Sequence, residues 1–315
     1  MERIGPDGPA VFPLALSGNR FGWTSDENVA VKILDEYVAA GGNFIDTADG
    51  YSAWAPGNLG GESESIIGRW VAARRNRDRV VLATKVGTHP RHPGLAPSGI
   101  RAAADASLAR LQTDRIDIYH AHSDDPRVPI EEIAAAFDAL VKAGKVRLVG
   151  ASQFRAERIR EWIRVARDNG FTAPTVMQPR YSLVRRDADE QDLVDLAADE
   201  KLAVVPYFTS SSGFLLGHYR PAPAADVVPR PPRAGAYFSH NGLWAFDTLE
   251  TIAMARGVRP ATVALAWVKT RPGVVAPIIS PRTPEHLAGL VEAISFRLED
   301  KERAALDEIS TQVLD

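Results

Sequence analysis

Cysteine is absent from the 315-residue chain. Disulfides, zinc fingers, iron–sulfur ligation and a thiolate nucleophile are excluded with it, and such a chain suits a reducing compartment. No apolar run reaches the roughly 18 residues of a membrane-spanning helix. The opening Met-Glu-Arg-Ile-Gly-Pro lacks the apolar core of a signal peptide, so a cytoplasmic protein is expected. Neither a G-x-G-x-x-G nor a P-loop spacing occurs, which argues against the usual nucleotide-binding open sheets. Net charge is small: 37 Lys plus Arg against 40 Asp plus Glu leaves −3. Nothing in that balance draws the chain to nucleic acid or to an anionic membrane. Lysine is scarce, with 7 of the 37 basic residues, the other 30 being arginine. A lysine inside an apolar strand is therefore a pointed observation.

What is present is ordinary globular usage, 45% apolar and 24% charged. Short runs rich in Val, Ile and Leu fall at 12–16, 43–46, 80–84, 116–120, 146–150, 175–178, 203–206 and 274–278. They read as strands buried on both faces. Amphipathic helices are expected between them, at 28–40, 62–75, 97–111, 130–143, 156–169 and 189–199, with a last one over 299–314. Gly41-Gly42, Gly144 and Asn169-Gly170 supply stop signals. Eight strands with crossover helices predict an α/β fold, a closed (β/α)8 TIM barrel, which takes about 250 residues. The excess, about 65 residues on that scale, is expected in loops at the C-terminal face and in end caps. Residues 52–61 and 209–240 look like those loops. No composition break marks a second domain, so residues 1–315 are expected to form one.

Chemistry in such a barrel sits at the C-terminal strand ends. There the sequence offers Asp46, Lys85, His120 with His122, Ser152 with Gln153, Gln178 and Tyr207, in that order. Each alone reads equally well as a loop or core residue. Together they set a carboxylate, an ammonium, imidazoles and a phenol around one mouth.

The motifs are more specific than the ladder. Gly-Gly-Asn-Phe-Ile-Asp-Thr-Ala-Asp-Gly-Tyr at 41–51 is followed by Gly-Glu-Ser-Glu at 61–64 and Leu-Ala-Thr-Lys at 82–85. Then come Asp-Arg-Ile-Asp-Ile-Tyr-His-Ala-His at 114–122, Val-Gly-Ala-Ser-Gln-Phe at 149–154 and Gln-Pro-Arg-Tyr-Ser-Leu at 178–183. Val-Pro-Tyr at 205–207 and Arg-Thr-Pro-Glu at 282–285 complete the order. Over nearly the whole chain this resembles the aldo-keto reductase superfamily. The resemblance implies a catalytic tetrad of Asp46, Tyr51, Lys85 and His122. It implies NADP(H) as cofactor, with Ser152, Gln153 and Gln178 at the nicotinamide amide and Tyr207 stacked on the ring. Arg282 then meets the adenosine 2′-phosphate, and Ser280 and His286 are further cofactor-binding residues. Gln153 replaces the usual Asn of the nicotinamide turn, and Thr209-Ser210 a common Pro-Leu. Gly289 and Leu290 stand where the family places a polar adenine-contacting residue and an Asn.

The implied reaction is reduction of an aldehyde or ketone, with Tyr51 as proton donor, its pKa lowered by Lys85, and no metal. Trp23, Trp54 and His120 are candidate walls of a pocket for an apolar or ring-shaped carbonyl substrate. Two other classes remain at this point. His120-Ala121-His122, with His89 and His92, has the alternating spacing of a metal-dependent barrel hydrolase. The family's non-catalytic, cofactor-binding regulatory subunits are the second.

Overall fold

The computed structural model describes residues 1–5, 8–185, 190–216 and 237–313. An antiparallel pair, β1 (Glu2–Arg3) and β2 (Ala10–Val11), comes first. Then follow β3 (Ala15–Ser17), β4 (Phe44–Asp46), β5 (Val81–Val86), β6 (Ile116–Ala121), β7 (Val146–Ser152) and β8 (Pro174–Gln178). The ring ends with β9 (Ala203–Val204) and β10 (Ile278–Ile279). β3 to β10 are all parallel to their neighbours, and β10 returns beside β3. The remaining seam is closed by three backbone bonds: Val204 N–H to Gly273, Val275 N–H to Val204 and Ile278 N–H to Pro206, at 2.9–3.0 Å. The result is the expected (β/α)8 barrel.

The outer layer is α1 (Glu27–Ala39), α2 (Glu62–Arg74), α3 (Pro97–Leu111), α4 (Ile130–Lys142), α5 (Ala156–Asn169) and α6 (Glu190–Asp199). It continues with α7 (His240–Arg256), α8 (Pro260–Lys269), α9 (Pro284–Val291) and α10 (Asp300–Gln312). Proline opens α3, α8 and α9, where a missing N–H costs nothing and φ is already helical. The apolar faces of α1 to α5 meet the outward residues of the strands in one core. A second core joins α7, α8 and α10 around Trp267.

Three strands differ from expectation, each beside a proline. The run at 12–16 enters the ladder only at Ala15, after Pro13. The run at 203–206 keeps ladder geometry only to Val204, and Pro206 has no N–H to continue it. The run at 274–278 reaches regular pairing only at Ile278, after Pro277. The hairpin has its own task. Ile4 and Val11 join Phe44, Val81 and Ile118 in the apolar cluster that fills the barrel's N-terminal end. Gly8 permits that turn, because a Cβ there would lie 1.7 Å from the Ile4 carbonyl. The loop expected at 209–240 is described only at its edges, a 3-10 turn at Ser211–Leu216 and residues 237–240. Residues 189 and 314, expected to bound helices, lie outside the described residues.

Candidate active site

The parallel register puts the polar strand ends on one level. Ser17 pairs with Asp46, Lys85 with His120, and Ser152 with Gln178. Lys85 and Asp46 have no exposed surface. The Lys85 ammonium donates to Asp46 Oδ2 at 2.6 Å, to the Thr47 carbonyl at 2.7 Å and to the Tyr51 hydroxyl at 3.1 Å. All three of its protons are thus directed. Burial works against this ammonium, but Asp46 and Tyr51 outweigh it and hold the Lys85 pKa above its usual value. The second Asp46 oxygen accepts from Gln178 Nε2 at 3.0 Å. The Ser152 hydroxyl in turn donates to the Gln178 carbonyl at 3.1 Å. Ser152, Gln178, Asp46, Lys85 and Tyr51 therefore form one continuous hydrogen-bonded chain from four separate regions of sequence.

Tyr51 is where the sequence expectation needs correction. Burial raises its pKa, the Lys85 charge opposes, and Asp46 adds to the rise; the net is upward. Lys85 moderates the phenol without bringing it below its ordinary value. The hydroxyl is a protonated donor at neutral pH, beside a cation able to stabilise the phenolate it would leave.

His122 lies edge-on to Tyr51, ring centroids 5.9 Å apart. Its Nδ1 is 2.8 Å from the Thr88 hydroxyl. Burial, with the Lys85 charge adding, pushes its pKa down to about 3, so the ring is neutral at physiological pH. Gln153 adopts a left-handed φ of 55° and donates from Nε2 to the His122 carbonyl at 3.0 Å. The longer side chain at this turn spans to the neighbouring strand end.

His120 is placed otherwise. It is fully buried, both ring nitrogens lack a hydrogen-bond partner, and its ring fills the space a side chain on Gly150 would need. A Cβ at Gly150 would sit 2.2 Å from His120 Nδ1. Burial first, then the charge of Lys85, drives its pKa well below the usual value. His120 packs inside the barrel wall rather than at its exposed mouth. Among the described residues no three His, Asp or Glu side chains are grouped to hold a metal ion.

Trp23 and Trp54 are brought together by their loops. The Ser52 hydroxyl donates to the Phe21 carbonyl at 2.7 Å, and Asn58 Nδ2 to the Gly22 carbonyl at 2.7 Å. The two indoles meet edge-to-face at 5.7 Å, and Trp54 meets Tyr51 at 6.1 Å. Both stay about half exposed, at 48% and 52%, so this aromatic wall faces solvent beside the Tyr51 hydroxyl.

Away from this cluster, Thr209, Leu216, Ala261, Ser280, His286 and Leu290 line a groove with about 460 Å³ of empty space. Arg282 is exposed at its rim, immediately before the α9 cap Thr283, and has no ion-pair partner among the described residues. Tyr207 lies at the end of β9, bridged to Arg180.

Sequence reading missed Thr47, Thr88, Ser17 and Asp49. Thr47 acts through its carbonyl, which carries no side-chain signal. Ser17 hydrogen-bonds the Tyr51 hydroxyl from the end of β3. The Asp49 carboxyl is buried, its Oδ1 without a hydrogen-bond partner, and the Asp49 backbone N–H donates to the Lys85 carbonyl at 3.1 Å, tying the Tyr51 loop to β5. Burial pushes its pKa up to about 7, the charge of Glu64 adding and Arg110 opposing.

A parallel barrel whose mouth holds a buried Asp–Lys–Tyr chain beside a neutral histidine defines a class of proteins, and sequence comparison agrees with it. The Aldo/keto reductase family profile matches residues 13–311. An uncharacterized oxidoreductase of Bacillus subtilis, YrpG, is 35% identical over 95% of this chain and 92% of its own length. Norsolorinic acid reductase B of Aspergillus parasiticus is 33% identical over 94% of this chain and 80% of its own. An aryl-alcohol dehydrogenase of Pestalotiopsis microspora is 31% identical over 91% and 76%. The chain belongs to the aldo/keto reductase family.

Proposed function

We propose that this protein is a cytoplasmic NADP(H)-dependent reductase of aldehydes or ketones, built as one barrel domain over residues 1–315. The observation that carries the reading is the Lys85 ammonium held between Asp46 and the Tyr51 hydroxyl. Bound NADPH supplies a hydride for the carbonyl carbon. The protein's part is the oxygen. As negative charge gathers there, Tyr51 donates its proton and Lys85 stabilises the phenolate. Asp46 keeps Lys85 charged and fixed. Neutral His122 bonds through Nδ1 to Thr88 and turns Nε2 to the substrate oxygen, orienting it.

The residues present suit the cofactor. The groove beside Ser280 and His286 is walled by apolar and polar surface in similar measure, and Arg282, exposed next to it, has no ion-pair partner among the described residues. A guanidinium there would take the 2′-phosphate through two oxygens at once. Ser152 and Gln178 would hold the carboxamide, linking it to Asp46 through the bond already made. Gln153 would steady that turn through its bond to the His122 carbonyl. Tyr207 would stack on the ring.

Trp23 and Trp54 beside Tyr51 favour a carbonyl compound carrying an aromatic ring. The relatives named above as an aryl-alcohol dehydrogenase and a norsolorinic acid reductase support the same reading. His120 would shape the floor beneath that pocket rather than touch the ring.

The test is stopped-flow NADPH oxidation with a panel of aromatic aldehydes and ketones. Turnover by the unsubstituted protein and its collapse in Tyr51→Phe are expected. Normal turnover in Tyr51→Phe overturns the assignment; tight NADPH binding without turnover across the panel favours a regulatory relative.

A further inference from the structure

Gly289 is a notch in α9 filled from another helix. A Cβ built there would lie 2.1 Å from Arg259 Nη1 and 2.8 Å from its Cζ. The Arg259 guanidinium thus lies against the α9 backbone at the one position where no side chain keeps it away. Gly289 follows His286 by three residues and precedes Leu290, and both of these line the groove. Those three share one helix face. Arg259 is the cap residue of α8, whose Ala261, Ala264 and Leu265 form the groove's other wall. The guanidinium therefore lies between the two helices that supply the groove's walls, beside the lining residue Leu290 rather than in the lining itself.

Its charge is uncompensated. Arg259 has no ion-pair or hydrogen-bond partner for its side chain among the described residues. Glu292, three residues beyond Gly289, is engaged by the Thr262 hydroxyl at 3.1 Å. From Arg282 to Gly289 is seven residues of chain, about 10 Å if all were helical. That span separates a phosphate at Arg282 from the far side of the nucleoside attached to it.

We propose that Arg259, seated on Gly289, is a cofactor-binding residue that contacts the adenine ring of the dinucleotide. Resting on the NADP(H) reading above, this assigns to α8 the polar contact that Gly289 and Leu290 lack on α9. A planar cation offers the purine face a cation–π contact and its ring nitrogens N–H donors. This contact is separate from Arg282, which addresses phosphate.

The test compares dissociation constants for NADPH, NADH and reduced nicotinamide mononucleotide, which has no adenosine, by tryptophan fluorescence or calorimetry. Arg259→Ala is expected to weaken NADPH and NADH alike, about tenfold on the scale of such contacts, and to leave the mononucleotide unchanged. Gly289→Ala, whose methyl displaces only the tip of a flexible side chain, is expected to give the same loss. The double variant should add nothing further. Unchanged affinities in both single variants overturn the proposal, as does a loss confined to NADPH, which would make Arg259 a phosphate contact. If the unsubstituted protein binds neither dinucleotide, the cofactor reading falls and this one with it.

Discussion

Lys85 at the barrel mouth is fully buried and shares Asp46, Thr47 and Tyr51 as partners, whereas Arg282 at the groove's rim is exposed and has none among the described residues. The contrast shows two ways of holding a cation for chemistry. At the mouth the chain organises and neutralises the charge itself, so the geometry is fixed before anything binds. At the rim the charge is left for a ligand to complete. Substitutions at the first place should disturb folding and turnover together. Those at the second should disturb affinity alone.

The sharpest way to break this contrast is Lys85→Met. It strands the Asp46 carboxylate in the interior, a change that costs about 3–5 kcal/mol in comparable buried pairs. It also removes the stabiliser of the phenolate, and a loss of turnover of about 10²- to 10⁴-fold is expected. Denaturant unfolding and single-turnover kinetics check the two effects. Asp46→Asn introduced on Lys85→Met should recover stability without recovering rate. Next in size is Arg282→Ala. NADPH affinity should fall roughly ten- to a hundredfold, as for charge-assisted bonds, with NADH affinity and melting temperature unmoved. A drop in melting temperature would mean that the rim is structural after all.

The pH dependence of stability sharpens the comparison, because the mouth hides groups of opposite sign. An unfolded histidine takes a proton below about pH 6.5, but folded His120 and His122 refuse it, His122 down to about 3. Stability therefore falls as pH drops through this window, by roughly 1.4 kcal/mol per unit for each ring. His120→Gln should flatten that slope. Asp49 works the other way. Its folded pKa near 7 lies above the unfolded value, so stability is lost as pH rises from about 4 to 7. Asp49→Asn should raise the melting temperature at pH 8 relative to that at pH 5. The smallest effect is expected at Trp54→Ala. KM for aromatic carbonyl substrates should rise two- to tenfold, on the scale of one aromatic contact, while KM for a short aliphatic aldehyde stays put.

The barrel was legible because periodicity and length carry it. Runs such as 80–84 and 116–120 fall inside or beside β5 and β6, and their last polar residues meet at one level. Asp46, Lys85, Gln178 and Ser152 could be anticipated as neighbours, since parallel register brings successive strand ends together. Three things escaped. The sense of the Tyr51 shift is a balance of burial against charge, and burial is not written in the motif. His120 shares a strand face with His122, yet its ring turns into the gap at Gly150, a packing choice that depends on a residue thirty places away. The Arg259–Gly289 seat joins two helices likewise thirty residues apart, and one half of it is the absence of a side chain.

The hairpin at the start of the chain has a kinetic consequence. With Ile4 and Val11 joining the apolar plug at one end of the barrel, that end is packed shut. Among the described residues, the strand ends are the side left for water, proton and ligand to reach Lys85 and Tyr51. On the proposed reading of Tyr51 as proton donor, an occupant of the strand ends also shuts off the solvent that would return its proton. Recharging the acid must therefore wait for departure, and a solvent isotope effect should surface in the steps after product formation rather than before.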